Sequence, residues 1–240
     1  MMNSKIIAVS NIKGGTGKST ICANLAVALS ANSKVLTIDI DKPQFTLNNY
    51  FRHKENPKFD HIKLEDENQL EQIIEDNKKY DYIIIDTPGS LNNAMKKACE
   101  LADIFLTPIS DSRFDLDVIG QFSPEDKKFT PGCYANIIWD ARKHKLIKRK
   151  EQLKWIIVPN KLSVRITNNQ RKIMILLKKM QSSLGFSLCS GVKDRVVFKE
   201  LFNEGKTVFD LPPSKLNISN ISAKNEIRSI IFHINNLNKD

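Results

Sequence analysis

The sequence predicts an α/β fold: a single domain over residues 1–240, with a mostly parallel twisted sheet and helices on both faces. Three observations predict it. Short runs rich in β-branched residues alternate with stretches whose apolar residues recur at helical spacing, the pattern of βα units. A glycine-rich segment, Lys13-Gly-Gly-Thr-Gly17, stands directly between the first such run and the first helix. Aspartates follow the second and third runs, as Asp39, Asp41 and Asp86. In a parallel sheet right-handed crossovers bring strand C-termini to one edge, where ligands bind.

The elements follow in order. Residues 5–10, Lys-Ile-Ile-Ala-Val-Ser, read as a buried parallel strand, because a run apolar on both sides needs cover on both faces. From Lys18 the period changes: Ile21, Leu25, Ala28 and Leu29 mark a helix that begins in the loop. Residues 35–38 form a second strand, 43–61 a loop with a short helix, and 68–78 an amphipathic helix. Tyr82 to Ile85 is a third strand, leading into Asp86-Thr-Pro-Gly89. A helix over 92–102 precedes the strand Ile104–Thr107, which Pro108 should close. Trp155–Val158 is a further strand, and helices are expected over 167–182, 194–204 and 223–237.

One segment departs from this rhythm. Residues 110–154 contain Pro124, Pro131 and Gly132, and then seven basic residues between Arg142 and Lys154. The segment reads as an insertion on the sheet, and its basic run suits nucleic acid, an acidic protein partner or a solvated loop.

Composition narrows the function classes. The net charge of +10 favours polyanionic partners. Cys22, Cys99, Cys133 and Cys189 are scattered without a C-x-x-C pair, which argues against zinc or an iron–sulfur cluster. No signal peptide and no bilayer-length apolar run is visible, so a cytoplasmic protein without membrane insertion is expected. The C-terminal stripe of Ile227, Ile230, Ile231, Ile234 and Leu237 is aliphatic with an asparagine-rich opposite face, and it reads as core packing rather than a membrane-binding helix.

The glycine segment carries the chemistry. The P-loop pattern is G-x-x-x-x-G-K-[ST]. Here Ile12 replaces the first glycine, while Gly17, Lys18 and Ser19 remain and Lys13, Gly14, Gly15 and Thr16 lie between. Glycines let successive N–H groups turn toward phosphate oxygens, and the helix opening at Lys18 adds its positive end. The pattern predicts ATP as ligand, with Lys18 on the β- and γ-phosphates, Ser19 on Mg²⁺ and Thr20 on the α-phosphate. Asp86, after an Ile-Ile-Ile strand, is placed to hold the metal shell through water. Alternation puts Asp39 and Asp41 on one side of their strand, so that one can order the metal shell and the other orient the attacking water.

The Lys13-to-Thr20 loop, the Asp39-Ile-Asp41 pair and the Asp86-Thr-Pro strand end together resemble the ParA/MinD family of deviant Walker A ATPases. The resemblance implies slow ATP hydrolysis in an ATP-bound homodimer. Lys13 then reaches the partner subunit's phosphates, Asp41 positions the hydrolytic water and Asn160 contacts adenine, which leaves Asp39 as the member of the pair that orders the metal shell. Longer stretches, among them Ser112-Arg-Phe-Asp-Leu-Asp117, Trp139-Asp-Ala-Arg-Lys143 and Asp194-Arg-Val-Val-Phe-Lys-Glu-Leu-Phe202, are similar to the branch that positions the division plane. That similarity implies inhibition of FtsZ assembly, recruitment by ParB, non-specific DNA binding, and a bacterial protein found at the nucleoid and pole. The alternative within the family is a chromosome or plasmid partition ATPase. Candidate DNA contacts are Arg165, Arg171, Lys172, Arg195 and Lys199.

Overall fold

The computed structural model describes residues 4–123, 128–149 and 152–237. β1 (Lys5–Val9) runs into the glycine loop, and α1 (Lys18–Leu29) leaves it. β2 (Val35–Asp39), α2 (Thr46–His53), β3 (Asp60–Lys63) and α3 (Leu70–Asp76) follow, then β4 (Tyr82–Asp86), α4 (Asn93–Leu101) and β5 (Ile104–Ile109). Next come α5 (Arg113–Ile119), β6 (Gly120–Ser123), β7 (Lys128–Pro131) and α6 (Cys133–Arg149). The chain continues through β8 (Lys154–Pro159), α7 (Asn168–Leu184), β9 (Ser187–Leu188), α8 (Val196–Asn203) and α9 (Ile218–Asn236).

Among the described residues seven strands form one sheet in the order β3-β2-β4-β1-β5-β8-β9, and every pairing in it is parallel. Because successive side chains alternate, β1 sends Ile6 and Ala8 to one face and Ile7 and Val9 to the other. The first face is covered by α3, α4, α6 and α7, through residues such as Leu70, Met95, Ile138 and Leu177. The second is covered by α1, α8 and α9, through Ile21, Leu25, Phe198, Ile227 and Ile230. The aliphatic C-terminal stripe is therefore core, and α9 starts earlier than expected, at Ile218, where Asn217 accepts from the Asn220 amide as an N-cap. No helix among the described residues is long and apolar enough to cross a membrane.

The differences from the sequence reading are at the sheet edges and in the basic segment. β3 and β9 are unexpected; both are short edge strands without a fully buried residue, so neither has an apolar run to betray it. Pro108 lies inside β5 rather than closing it. The described part of the 110–154 segment holds the helices α5 and α6 with the antiparallel pair β6–β7 between them, so most of the basic run is helix rather than solvated loop; Pro124, Lys150 and Glu151 lie outside the described residues. Its helix α6 buries Tyr134, Ala135, Ile138, Ala141 and Lys145, a helical spacing that the flanking charges had masked. Lys145 stretches its stem through the core and gives its ammonium to Ala102 O and Asp103. Arg142 donates to Leu153 O and Gly185 O. Two residues of the basic run thus fasten α6 to the sheet, while Lys143 and Lys148 face solvent.

Candidate functional site

The loop between β1 and α1 is fixed from both ends. Asn11 donates to Pro108 O at 2.7 Å, and its Oδ1 accepts from the Lys13 amide at 2.9 Å. Gly15 and Gly17 adopt φ of 73° and 90°, the left-handed region that favours glycine. At Gly17 there is no space either: a Cβ would stand 2.4 Å from Asn160 Nδ2. Gly17 is also the N-cap of α1, and no side chain caps that helix. The first amides of α1 are therefore left for a ligand, and an anion suits them best. Lys18 is buried at the start of the helix, with its ammonium 3.4 Å from Lys13 O. The loop borders a cavity of about 500 Å³, a volume suited to a nucleotide, which Ser19, Asp41, Gly89, Asn160 and Phe198 also line.

The carboxylates meet this loop through the sheet register. Asp86 pairs with Val9 on one side and Asp39 on the other, and Asp39 and Asp86 are both fully buried. Neither oxygen of Asp86 has a hydrogen-bond partner. The Ser19 hydroxyl and the Cys22 thiol lie beside it, close enough to act on its charge but outside full hydrogen-bond geometry. Burial pushes the Asp86 carboxyl well above the usual range, and the neighbouring Asp39 adds to this; Ser19 and Lys18 pull it back. The Cys22 thiol is likewise pushed up, by burial and then by Asp86 and Asp39, and stays protonated.

Asp39 and Asp41 both act on the Asp86 carboxyl, but their contacts differ. β2 ends at Asp39, so the strand's alternation does not extend to Asp41. Asp39 turns inward and accepts from the Asp41 amide at 2.9 Å and from the Asn48 amide at 2.8 Å. It ties the loop after β2 to α2. Asp41 lines the cavity; burial raises its pKa, while Lys18 and the Gly89 amide hold it back. Among the described residues no group of three or more His, Cys, Asp or Glu could hold a metal alone. An orphaned buried carboxylate beside a serine hydroxyl and a phosphate-shaped loop does fit a hard, oxygen-preferring cation completed by ligand oxygens and water.

The other expected residues are divided. Lys13 stands at the loop entrance, half-buried, with its ammonium 2.7 Å from Asp115. Asp115 also accepts from the Ser110 amide at 2.9 Å. Asn160 reaches the site, but its Nδ2 donates to Thr16 O at 2.7 Å, so the amide first holds the loop. Thr16 is buried within the loop, and Thr20 and Gly14 border the cavity. Arg165, Arg171, Lys172 and Lys199 are exposed. Arg195 is not an open surface cation: its guanidinium pairs with Glu226 at 2.7 Å and donates to Ser219. Sequence reasoning missed Asn11, Asp115 and Lys161. Asn11 and Lys161 adjoin motifs it had read, and only the fold shows that their side chains return to the loop.

A glycine loop at the mouth of a central parallel strand, uncapped helix amides and a buried aspartate on the adjacent strand define the phosphate site of a P-loop protein. The fold is that of a putative plasmid partition protein from Borrelia burgdorferi bound to AMPPNP, with a TM-score of 0.64 and 21% identity over 95% of this chain and 98% of that one. The family model for ATPase MipZ matches residues 53–238, and the chain belongs to that family. An AAA domain model matches residues 4–78, which include the glycine loop. The carboxysome distribution protein A of Halothiobacillus neapolitanus is 26% identical over 95% of each chain. That of Gloeobacter kilaueensis is 31% identical over 48% of this chain and 53% of its own length.

Proposed function

We propose that this chain is a single-domain ATP-hydrolysing switch that dimerises in the ATP state and restrains FtsZ assembly away from the division plane. Recruitment by ParB and non-specific DNA binding belong to the same reading. Its main support is the membership of the ATPase MipZ family, together with a lysine, Lys13, at the open entrance of the phosphate loop.

In this reading Lys18 and the amides of the loop and of α1 bind the β- and γ-phosphates of ATP. Ser19 would contribute its hydroxyl to Mg²⁺ and Asp86 would hold the ion through water, and the ion would supply neutralisation of phosphate charge. Asp41 accepts a hydrogen bond from a water and aims it at the γ-phosphorus. The new P–O bond forms as the bond to the β–γ bridging oxygen breaks, releasing ADP, and the water's proton leaves with the phosphate. Lys13 exchanges Asp115 for the phosphates of a second copy, so the site is complete only in the dimer. Arg165, Arg171, Lys172 and Lys199 supply the exposed cations for DNA phosphates.

The test is sedimentation of FtsZ polymers with the purified protein, ATP and magnesium, with Lys13→Ala as control. Wild type should remove FtsZ from the pellet only with ATP, and the variant should not. Unchanged pellets would favour a second reading, a partition or cargo-distribution ATPase. That reading is supported by the carboxysome distribution protein matched over 95% of its length.

A further inference from the structure

Lys161 adopts φ of 54°, a left-handed conformation uncommon for a residue other than glycine, asparagine or aspartate. It follows Pro159 and Asn160 at the end of β8, and its side chain folds back across the sheet edge to donate to Gly15 O. Beside it Asn160 donates to Thr16 O. Two consecutive peptide units of the phosphate loop, Gly15–Thr16 and Thr16–Gly17, thus have their carbonyls held by donors from one loop. In a trans peptide the N–H points opposite to the C=O. Holding these carbonyls therefore fixes the direction in which the Thr16 and Gly17 amides point. A donor on the carbonyl also polarises its own peptide, and a cation does so more strongly than an amide.

A strained backbone persists where the surroundings impose it, and such strain collects at functional sites. Here the left-handed turn aims the Lys161 side chain at the loop. From this geometry we infer that Lys161 is a positioning residue for nucleotide phosphate. Its ammonium holds and polarises the Gly15–Thr16 peptide, so that the Thr16 amide is aimed and strengthened before a nucleotide arrives. The ligand class is a nucleoside di- or triphosphate, and the inference rests on the ATPase reading of the site. Asn160 does the same for the next peptide, in addition to any contact with a base.

Strain and function can be separated at this position. Lys161→Gly relieves the left-handed backbone but removes the ammonium. Lys161→Met removes the charge and keeps the stem. Lys161→Arg keeps a cation of similar reach. Calorimetric titration with ADP and Mg²⁺ is compared with the melting temperature of nucleotide-free protein. The Gly and Met variants should bind ADP about tenfold more weakly, and Arg should restore binding to within about twofold. The Gly variant should melt at or above the wild-type temperature while binding worse, which a purely structural lysine would not produce. Unchanged ADP affinity in Gly and Met, or affinity losses that only track falling melting temperatures, would overturn the role of Lys161. Failure of wild type itself to bind ADP would instead overturn the nucleotide reading.

Discussion

The ends of β2 and β4 lie side by side in register, and each presents a fully buried aspartate. Their treatment is opposite. Asp39 receives two backbone amides, from Asp41 and Asn48, and its charge is spent on the shape of the next loop. Asp86 receives no backbone amide, although a buried carboxylate so poorly satisfied is costly. A fold selected only for stability would satisfy both or remove one. The difference separates a residue that builds the site from one held open for what the site binds.

The largest expected effect breaks this comparison at Asp86. Asp86→Asn should lower ATP hydrolysis by about 100-fold or more, since in the proposed mechanism it removes the anion that would hold the metal shell. The same change should raise the melting temperature of nucleotide-free protein, by roughly 2–4 °C per kcal/mol of relieved burial. Phosphate release and thermal unfolding check the two halves. A variant that loses stability as well as activity would place Asp86 with Asp39 among the structural residues.

The next effect runs the other way. Asp39→Ala leaves two buried amides without acceptors and should destabilise the fold by about 2–4 kcal/mol, read from urea unfolding. Activity lost by this variant should return in part at low temperature, where the fold recovers. Full stability in Asp39→Ala would show that the two amides find other acceptors and that the loop after β2 does not depend on the carboxylate.

The sequence made this contrast only half legible. The buried strands β1, β2, β4, β5 and β8 announce themselves as apolar runs, and the loop around Gly15 and Gly17 is readable because left-handed backbone leaves few residue choices. Asp86 was legible from the Ile-Ile-Ile strand before it. The division of labour between Asp39 and Asp41 was not, because it depends on where β2 stops and on the Asn48 amide nine residues on. Nor was the inward direction of Lys145, Arg142 and Arg195. Sequence counts a cation by its charge, whereas Lys145 and Arg195 meet Asp103 and Glu226 only after distant elements pack. The same limit hid Asp115, which meets Lys13 from α5, the helix that follows β5.

The smallest and most diagnostic effect is a dependence on pH. Burial raises the Asp86 pKa in the folded protein above its value in the unfolded chain. Between those two values the folded state binds more protons, so stability falls as pH rises through the window that opens at the ordinary carboxylate pKa and closes at the raised one. A carboxylate in a salt bridge would give the opposite slope. Asp39 and Asp41, also raised, contribute the same sign and remain in the Asp86→Asn variant, so the informative quantity is the difference between variant and wild type. The stability gap should be near zero below the ordinary carboxylate range, where Asp86 is protonated in both states, and widen in favour of the variant toward neutral pH. ADP with magnesium should then narrow or reverse the gap at neutral pH, because a cation beside Asp86 favours its charged form and binds only the wild-type site well. A gap that stays constant across pH would mean that Asp86 is as well satisfied as Asp39.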